Sequence, residues 1–143
     1  MESTPEDHVK RVKNRLEAGR AVLENLGNIT TYDIGSVEPN MEQVTLSPPL
    51  PDDRFYISTD ERDPEALQVI RDAGGVFLSD LLEMEDTRAF GWPLMLTDVR
   101  ALVEQALLAH SAYFYGHMLS SFSGRIENMR AARGADRRTA LLD

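Results

Sequence analysis

The feature that most constrains the fold is a strand–helix–strand pattern in the middle of the chain. Residues 55–58 form a short apolar and aromatic run that is typical of a buried strand. A helix is predicted to follow, because Asp63 can cap its start, Pro64 suits its first position and the glycines at 74–75 end it. Residues 76–78 are predicted to form the next strand. The lengths of the connections favour a right-handed parallel crossover, which indicates an α/β fold.

A further apolar run lies near the end of the chain, where residues 113–115 are predicted to form a third buried strand. The helix before it begins at Thr97, ends near Ala109 and carries apolar residues on both sides, which predicts burial nearly all round. The helix after it begins in the serine-rich segment 120–124. Three strands followed by helices predict the fold class as α/β, a partial Rossmann-like three-layer domain with a short parallel sheet.

An amphipathic helix is predicted ahead of this domain, because apolar residues from Val9 to Leu26 recur at spacings of three and four. The next segment carries turn and breaker residues throughout, among them Gly35 and Pro39, with at most a short extended piece at 44–46. The predicted organisation is therefore an amphipathic helix at 1–27, an irregular connection at 28–54 and a Rossmann-like half-domain at 55–143.

Two further segments are predicted to be irregular. Residues 83–96 combine an acidic patch with a Phe-Gly-Trp-Pro run, which favours a loop in which Trp92 packs as an anchor. The segment 130–138 is basic and contains a glycine, so it is predicted to fray.

Composition excludes several classes of function. The 143 residues suffice for one globular domain with a real core. The chain has no cysteine and no two histidines at one-turn spacing, so no metal site is expected. A net charge of −9 opposes nucleic-acid binding. No apolar run is long enough for a membrane span, and the charged first residues predict no signal peptide.

Polar residues follow each predicted strand, at the ends where parallel sheets bind ligands. Asp60 follows the first strand, Asp80 the second, and the segment from His117 to Ser123 the third. Backbone N–H groups at a helix start, beside serine hydroxyls, favour a phosphate of a diphosphate-containing ligand. The alternative for the serines is a simple helix cap, and capping is favoured for each aspartate taken alone.

Glu104 lies within the otherwise apolar helix that begins at Thr97. A carboxylate in such surroundings needs a hydrogen-bond donor. Two alternatives stay open at this point: the donor is a nucleotide base or ribose, or it is an arginine or backbone group of the protein. The sequence contains no Gly-rich dinucleotide fingerprint, Walker loop or nucleophile elbow that would anchor another enzymatic function.

Several short motifs occur in the same order as in a known family: Phe55-Tyr56-Ile57-Ser58-Thr59-Asp60-Glu61, Gly74-Gly75-Val76-Phe77-Leu78-Ser79-Asp80-Leu81-Leu82, Leu102-Val103-Glu104-Gln105, the run from Phe114 to Ser123, and Asn128-Met129-Arg130. On these motifs the chain resembles the carboxyl-terminal half of GDP-fucose protein O-fucosyltransferase-like proteins, particularly fungal ones.

This resemblance implies half of a GT-B type glycosyltransferase that takes GDP-fucose as the donor and transfers fucose, with inversion, to a protein hydroxyl. It implies that Ser120, Ser121 and Phe122 contact the donor phosphates and that Glu104 lies where the family holds guanine. Asp60 matches a strand-end residue of structural or rim-lining role. The family works in the secretory pathway, in the endoplasmic reticulum or Golgi.

The sequence departs from the family in one respect that affects catalysis. The family's His-x-Arg motif, whose arginine neutralises the leaving diphosphate, is absent from these residues. The chain is therefore expected to be a partial or truncated member that binds nucleotide sugar without transferring it, with no catalytic residue assigned. The alternatives are a non-catalytic protein-interaction module that uses the face from Val9 to Leu26, and a nucleotide-binding α/β domain for a different cofactor.

Overall fold

The computed structural model describes residues 4–34 and 41–143. The chain divides into two compact units. Unit 1 comprises the described residues up to Lys13 together with 52–104, and unit 2 comprises the described residues of 14–51 together with 105–143. Two of the boundaries between the units fall inside helices. One lies in α1 (Pro5–Leu26) and the other in α5 (Thr97–Ala109).

The strand–helix–strand prediction for unit 1 is confirmed in its main features. Strand β3 (Phe55–Tyr56) pairs in parallel with β4 (Gly75–Val76). Helix α2 (Pro64–Asp72) connects them, with the Asp63 carboxylate accepting the Glu65 N–H as the predicted cap. Gly74 then turns the chain with a φ of 96°, a conformation that glycine adopts without strain.

The second strand of this unit ends earlier than predicted. The structure has β4 end at Val76, and Leu78 begins the short helix α3 (Leu78–Leu81). The Asp80 carboxylate accepts the backbone N–H of Phe77 at 3.0 Å and so caps this helix, which is why the apolar run does not continue as a strand.

The core of unit 1 forms where the first turns of α1 meet α2. Val9, Ile70 and Phe77 are buried against one another. The half-buried apolar residues packed against them are Ile57, Leu67, Val69 and Ala73. The amphipathic face predicted for α1 is thus used within the protein, with Val9 contributing to this core.

The prediction of an irregular loop at 83–96 is wrong. Helix α4 (Met84–Phe90) forms there, followed by a 3-10 turn at Trp92–Met95. The Asp86 carboxylate accepts the Glu83 N–H and stabilises the start of α4, while Gly91 ends it. Trp92 is 72% exposed, so it does not serve as a packing anchor.

The irregular connection predicted at 28–54 also needs correction. Strands β1 (Ile29–Ile34) and β2 (Met41–Leu46) form an antiparallel pair, and the extended piece predicted at 44–46 is the end of β2. Ile29 and Thr31 are buried while their neighbours are exposed, an alternation typical of a strand. The breaker residues Gly35 and Pro39 lie outside the described residues.

Unit 2 contains a second parallel crossover. Strand β5 (Phe114–Gly116) leads into α6 (Ser121–Ala132), and β6 (Ala140–Leu142) returns to pair in parallel with β5. The Thr31 hydroxyl donates to the Arg133 carbonyl over 2.8 Å and so joins the hairpin to the end of α6, across 102 residues of sequence.

The segment 130–138 is ordered rather than frayed. Arg130 is 4% exposed, and its guanidinium donates to the carbonyls of Ser111, Ala112 and Thr139 and to the Thr139 hydroxyl. Burial, with a smaller effect from Arg133, lowers the pKa of Arg130 to about 10, so the side chain remains a cation at pH 7. Carbonyl oxygens of the protein, rather than water, accept the hydrogen bonds of the Arg130 guanidinium. These bonds hold the segment 130–138 in place.

The described residues form a mixed α/β structure whose strands make three separate two-stranded sheets. The β3–β4 and β5–β6 sheets are parallel, and the β1–β2 sheet is antiparallel. The prediction of one continuous parallel sheet is therefore wrong, because β5 pairs with β6 and not with β3 or β4. Helix α5 is also less buried than predicted. Gln105 and Ala109 are buried, whereas Leu102 is 58% exposed.

Candidate functional site

The five residues predicted to bind a nucleotide sugar form two local groups. Asp60 and Glu104 belong to unit 1, whereas Ser120, Ser121 and Phe122 belong to unit 2. Among the strands that the structure describes, those that precede the two groups lie in separate sheets and form no common edge of the kind predicted.

The serine group occupies the turn between β5 and α6. The Ser120 hydroxyl accepts the Ser123 N–H at 3.4 Å and caps α6, so the capping alternative holds for Ser120. The Ser123 hydroxyl is buried and accepts the N–H of His117 at 3.2 Å. These two bonds fix the turn between the strand end and the helix start.

Gly116 allows this turn to be tight. A Cβ atom at position 116 would lie 2.7 Å from Ser123 Oγ and 2.7 Å from the Phe114 ring. Only glycine lets the end of β5 approach the first turn of α6 this closely. The glycine was part of the motif quoted above, but the sequence alone did not indicate its packing role.

Two adjacent backbone donors remain open at the helix start. Among the described residues, the N–H groups of Ser121 and Phe122 have no hydrogen-bond acceptor, as expected for the first positions of a helix. Ser121 is exposed and Phe122 is half-buried. The turn therefore presents unpaired N–H groups and the Ser121 hydroxyl to solvent, which is the arrangement that anions favour at helix N-termini.

Two further polar side chains flank this turn. His117 Nδ1 accepts the Leu119 N–H at 3.2 Å, which leaves Nε2 to carry the proton of a neutral ring. Arg125 is four residues after Ser121, on the same face of α6, and is exposed. Sequence reasoning missed Arg125; the spacing of four from Ser121 was the available signal.

Glu104 is held by two hydroxyl groups of the protein. The Tyr56 hydroxyl donates to Oε1 at 2.8 Å, and the Ser58 hydroxyl donates to Oε2 at 3.1 Å. The predicted need of Glu104 for a hydrogen-bond donor is thus met by the hydroxyl groups of Tyr56 and Ser58. These donors are neither an arginine nor a backbone group. Burial, then the bond to Glu104, raises the pKa of Tyr56, which keeps the hydroxyl protonated and able to donate.

A cavity of about 300 Å³ opens beside the carboxyl end of β3. Its polar lining includes Ser58, which bonds to Glu104, and the two carboxylates of Asp60 and Glu61. His8, from the first turn of α1, also contributes. Asp60 lies four residues after the end of β3 and lines this cavity, and no local sequence pattern indicates that α1 brings His8 to it.

Within the described residues, no group of three or more His, Asp or Glu side chains is arranged to hold a metal ion. The same residues include no helix with the length and apolar character needed to cross a membrane. No family model, curated protein or solved structure matches the chain.

Proposed function

We propose that the chain binds a nucleotide sugar, with the diphosphate held at the start of α6. The observation that carries this proposal is the β5–α6–β6 crossover, whose first turn presents the free N–H groups of Ser121 and Phe122 beside the Ser121 hydroxyl. Helix N-termini that follow parallel strands are the usual phosphate sites of Rossmann-like folds, because amide donors and the helix dipole both favour negative charge.

The donor that we propose is GDP-fucose, and its support is the motif resemblance to O-fucosyltransferase-like proteins. On this proposal the chain is a GT-B type half-domain whose family transfers fucose to a protein hydroxyl in the secretory pathway. Arg125 is the cation of the chain closest in sequence to the serine turn, and it has no ion pair among the described residues. It would offset part of the diphosphate charge.

We propose binding rather than sugar transfer. Departure of a diphosphate requires a cation placed against the developing charge, and these residues contain no His-x-Arg motif to supply it. Arg125 projects from an exposed helix face, where solvent weakens its electrostatic effect. The carboxylate of Glu104, which the resemblance aligns with guanine recognition, already accepts two protein hydroxyls.

Isothermal titration calorimetry with GDP and GDP-fucose tests this function, with ADP and NAD as comparison ligands. Binding of both guanine ligands supports the proposal. Binding of ADP or NAD in the absence of any heat from GDP and GDP-fucose at millimolar concentration would refute the GDP-fucose assignment.

Two substitutions at Ser121 separate its hydroxyl from its backbone donor. Ser121→Ala removes the hydroxyl alone, whereas Ser121→Pro also removes the N–H. Proline suits the first helical position, and Ser120 already has the extended backbone (φ −87°, ψ 121°) that a following proline needs. We expect Ser121→Pro to weaken GDP binding about tenfold, since it removes a charge-assisted hydrogen bond. Unchanged affinity in both variants would place the site elsewhere.

A protein-interaction function is the second candidate, and one observation favours it. Four large apolar side chains of α4 and the following 3-10 turn are exposed, namely Met84, Phe90, Trp92 and Met95. The face of α1 from Val9 to Leu26 is less suitable, because Val9 and Leu23 are buried. Light scattering of the chain and of a Trp92→Ser/Met95→Ser variant tests whether the exposed residues mediate association.

A further inference from the structure

The cavity beside β3 has an apolar interior. Its lining is drawn entirely from unit 1, where α1, β3 and α2 approach one another. The apolar side chains that line it are Val9, Val12, Phe55, Ile57, Ala66 and Ile70. Its volume of about 300 Å³ is at the lower end of the range for small-molecule sites, enough for one ring or a short alkyl chain.

The polar part of the lining carries negative charge. Glu61 accepts the backbone N–H groups of Asp63 and Arg62, at 2.9 and 2.8 Å, and these bonds lower the pKa of its carboxyl so that it is ionised at pH 7. The Asp60 carboxylate has neither a hydrogen bond nor an ion pair with any residue that the structure describes. Of the residues in the described part of the chain, no lysine or arginine lines the cavity.

The Ser58 hydroxyl of this lining is oriented as an acceptor. The Ser58 proton is directed at Glu104 Oε2, so the Ser58 oxygen has only lone pairs to offer a ligand. Thr59 Oγ1 accepts the N–H of Glu61 at 3.1 Å. His8 completes the polar lining, and its Nδ1 lies 3.4 Å from the Arg11 guanidinium. The cavity thus combines an apolar interior with an acceptor-rich, anionic mouth.

We propose that this cavity binds a small apolar primary amine. The apolar body of the ligand would occupy the interior between α1 and α2, and its ammonium group would donate to the Asp60 carboxylate and the Ser58 oxygen. An ammonium group has three donors and a positive charge, which match the unpaired carboxylate and the acceptor-only hydroxyl. Phosphates and carboxylates are disfavoured by Asp60 and Glu61, so the site differs in ligand class from the serine turn.

Ligand-observed NMR and calorimetry with three probes that share a phenethyl body test the proposal. The probes are phenethylamine, 2-phenylethanol and 3-phenylpropionate, which carry a cationic, a neutral and an anionic head group. We expect phenethylamine to bind about tenfold more tightly than the alcohol, since a charge-assisted contact replaces a neutral one. We expect no binding of the acid. Equal binding of amine and alcohol, or preferential binding of the acid, would overturn the proposal.

Two charge-matched variants locate the contact. Asp60→Asn removes the unpaired carboxylate and is expected to abolish the preference for the amine, whereas Asp52→Asn changes net charge equally, outside the cavity, and is expected to keep it. Val12→Phe fills part of the interior and is expected to weaken binding of amine and alcohol alike. An amine preference that survives Asp60→Asn contradicts the proposal, as does Asp60-dependent binding of guanosine without binding of the amine.

Discussion

The Tyr56 hydroxyl donates to Glu104 Oε1 over 2.8 Å, and this bond joins strand β3 to helix α5 within unit 1. The Ser58 hydroxyl occupies the second oxygen of the same carboxylate at 3.1 Å. The Glu104 carboxylate therefore binds the side chains of both Tyr56 and Ser58, and Ser58 lines the cavity. Glu104 acts through Ser58 as a positioning residue for that cavity.

Removal of the Tyr56 hydroxyl is expected to destabilise unit 1. Tyr56→Phe leaves a part-buried carboxylate oxygen without its donor, at a cost of about 1–3 kcal/mol in the free energy of unfolding. Tyr32→Phe is the matched control, because the Tyr32 side chain is exposed and its hydroxyl has no hydrogen bond among the described residues. Urea denaturation followed by circular dichroism measures both variants. Equal stability of Tyr56→Phe and the control would contradict the importance of this bond.

The same tyrosine predicts a pH dependence in the alkaline range. Its pKa is raised in the folded protein, chiefly by burial and then by the bond to Glu104. The unfolded chain therefore releases this proton first, at about pH 10, so the contribution of Tyr56 is complete below that pH and is lost as pH rises further. Denaturation between pH 8 and 11 is expected to show a steeper alkaline loss of stability for the wild type than for Tyr56→Phe. Parallel curves would argue against the shift.

Arg130 is expected to be essential for the stability of unit 2. Arg130→Met removes a guanidinium that donates to three carbonyls and a hydroxyl, and leaves those buried acceptors unpaired. Since a hydrogen bond to a charged group contributes about 1.5–3 kcal/mol, we expect a loss of at least about 3 kcal/mol. Arg125→Met, on the exposed face of the same helix, is expected to change stability by less than about 0.5 kcal/mol. Similar midpoints of thermal unfolding for the two variants would contradict this role.

Gly19 allows the Tyr113 ring to contact the backbone of α1. A Cβ at position 19 would overlap the ring atoms of Tyr113, so Gly19→Ala is expected to destabilise unit 2 by about 1–3 kcal/mol despite the better helix propensity of alanine. Tyr113→Leu removes the overlap. In a double-mutant cycle, Gly19→Ala is expected to cost less in the Tyr113→Leu background than in the wild type. Additive effects would show that the two residues do not interact.

Trp92 is the single tryptophan and is largely exposed, which gives a direct optical test. Its fluorescence emission in the native protein is expected to lie at long wavelength, to be readily quenched by iodide or acrylamide, and to shift little on unfolding in urea. Native emission at short wavelength with protection from quenchers would show that the side chain is covered, and would weaken the interaction function proposed for α4 and the 3-10 turn.

Local signals in the sequence predicted those elements whose boundaries depend on single residues. Asp63, Pro64 and Gly74 specify α2 because capping, a fixed φ and a positive φ act within one or two residues of the helix end. The prediction for 28–54 is wrong because β1 and β2 are stabilised by pairing with each other, which the breaker residues of the segment do not indicate. Strand β4 ends earlier than predicted because Asp80 caps a helix there through the Phe77 N–H.

The candidate sites were predicted only in part, because their remaining features arise from long-range packing. Asp60 follows β3 and lines the cavity, whereas its contact with a nucleotide sugar stays a prediction. His8 reaches the same cavity from α1, about fifty residues earlier in the sequence, and no local pattern indicates that approach. The donors of Glu104 could not be identified either, since Tyr56 and Ser58 lie 48 and 46 residues away.

The bond between Thr31 and the carbonyl of Arg133 spans 102 residues, and most of unit 1 is encoded inside that interval. Bringing Thr31 and Arg133 together costs less conformational entropy once the residues between them have folded, because the remaining flexible loop is then shorter. During synthesis, the hairpin of unit 2 must therefore wait for its carboxyl-terminal partners to leave the ribosome.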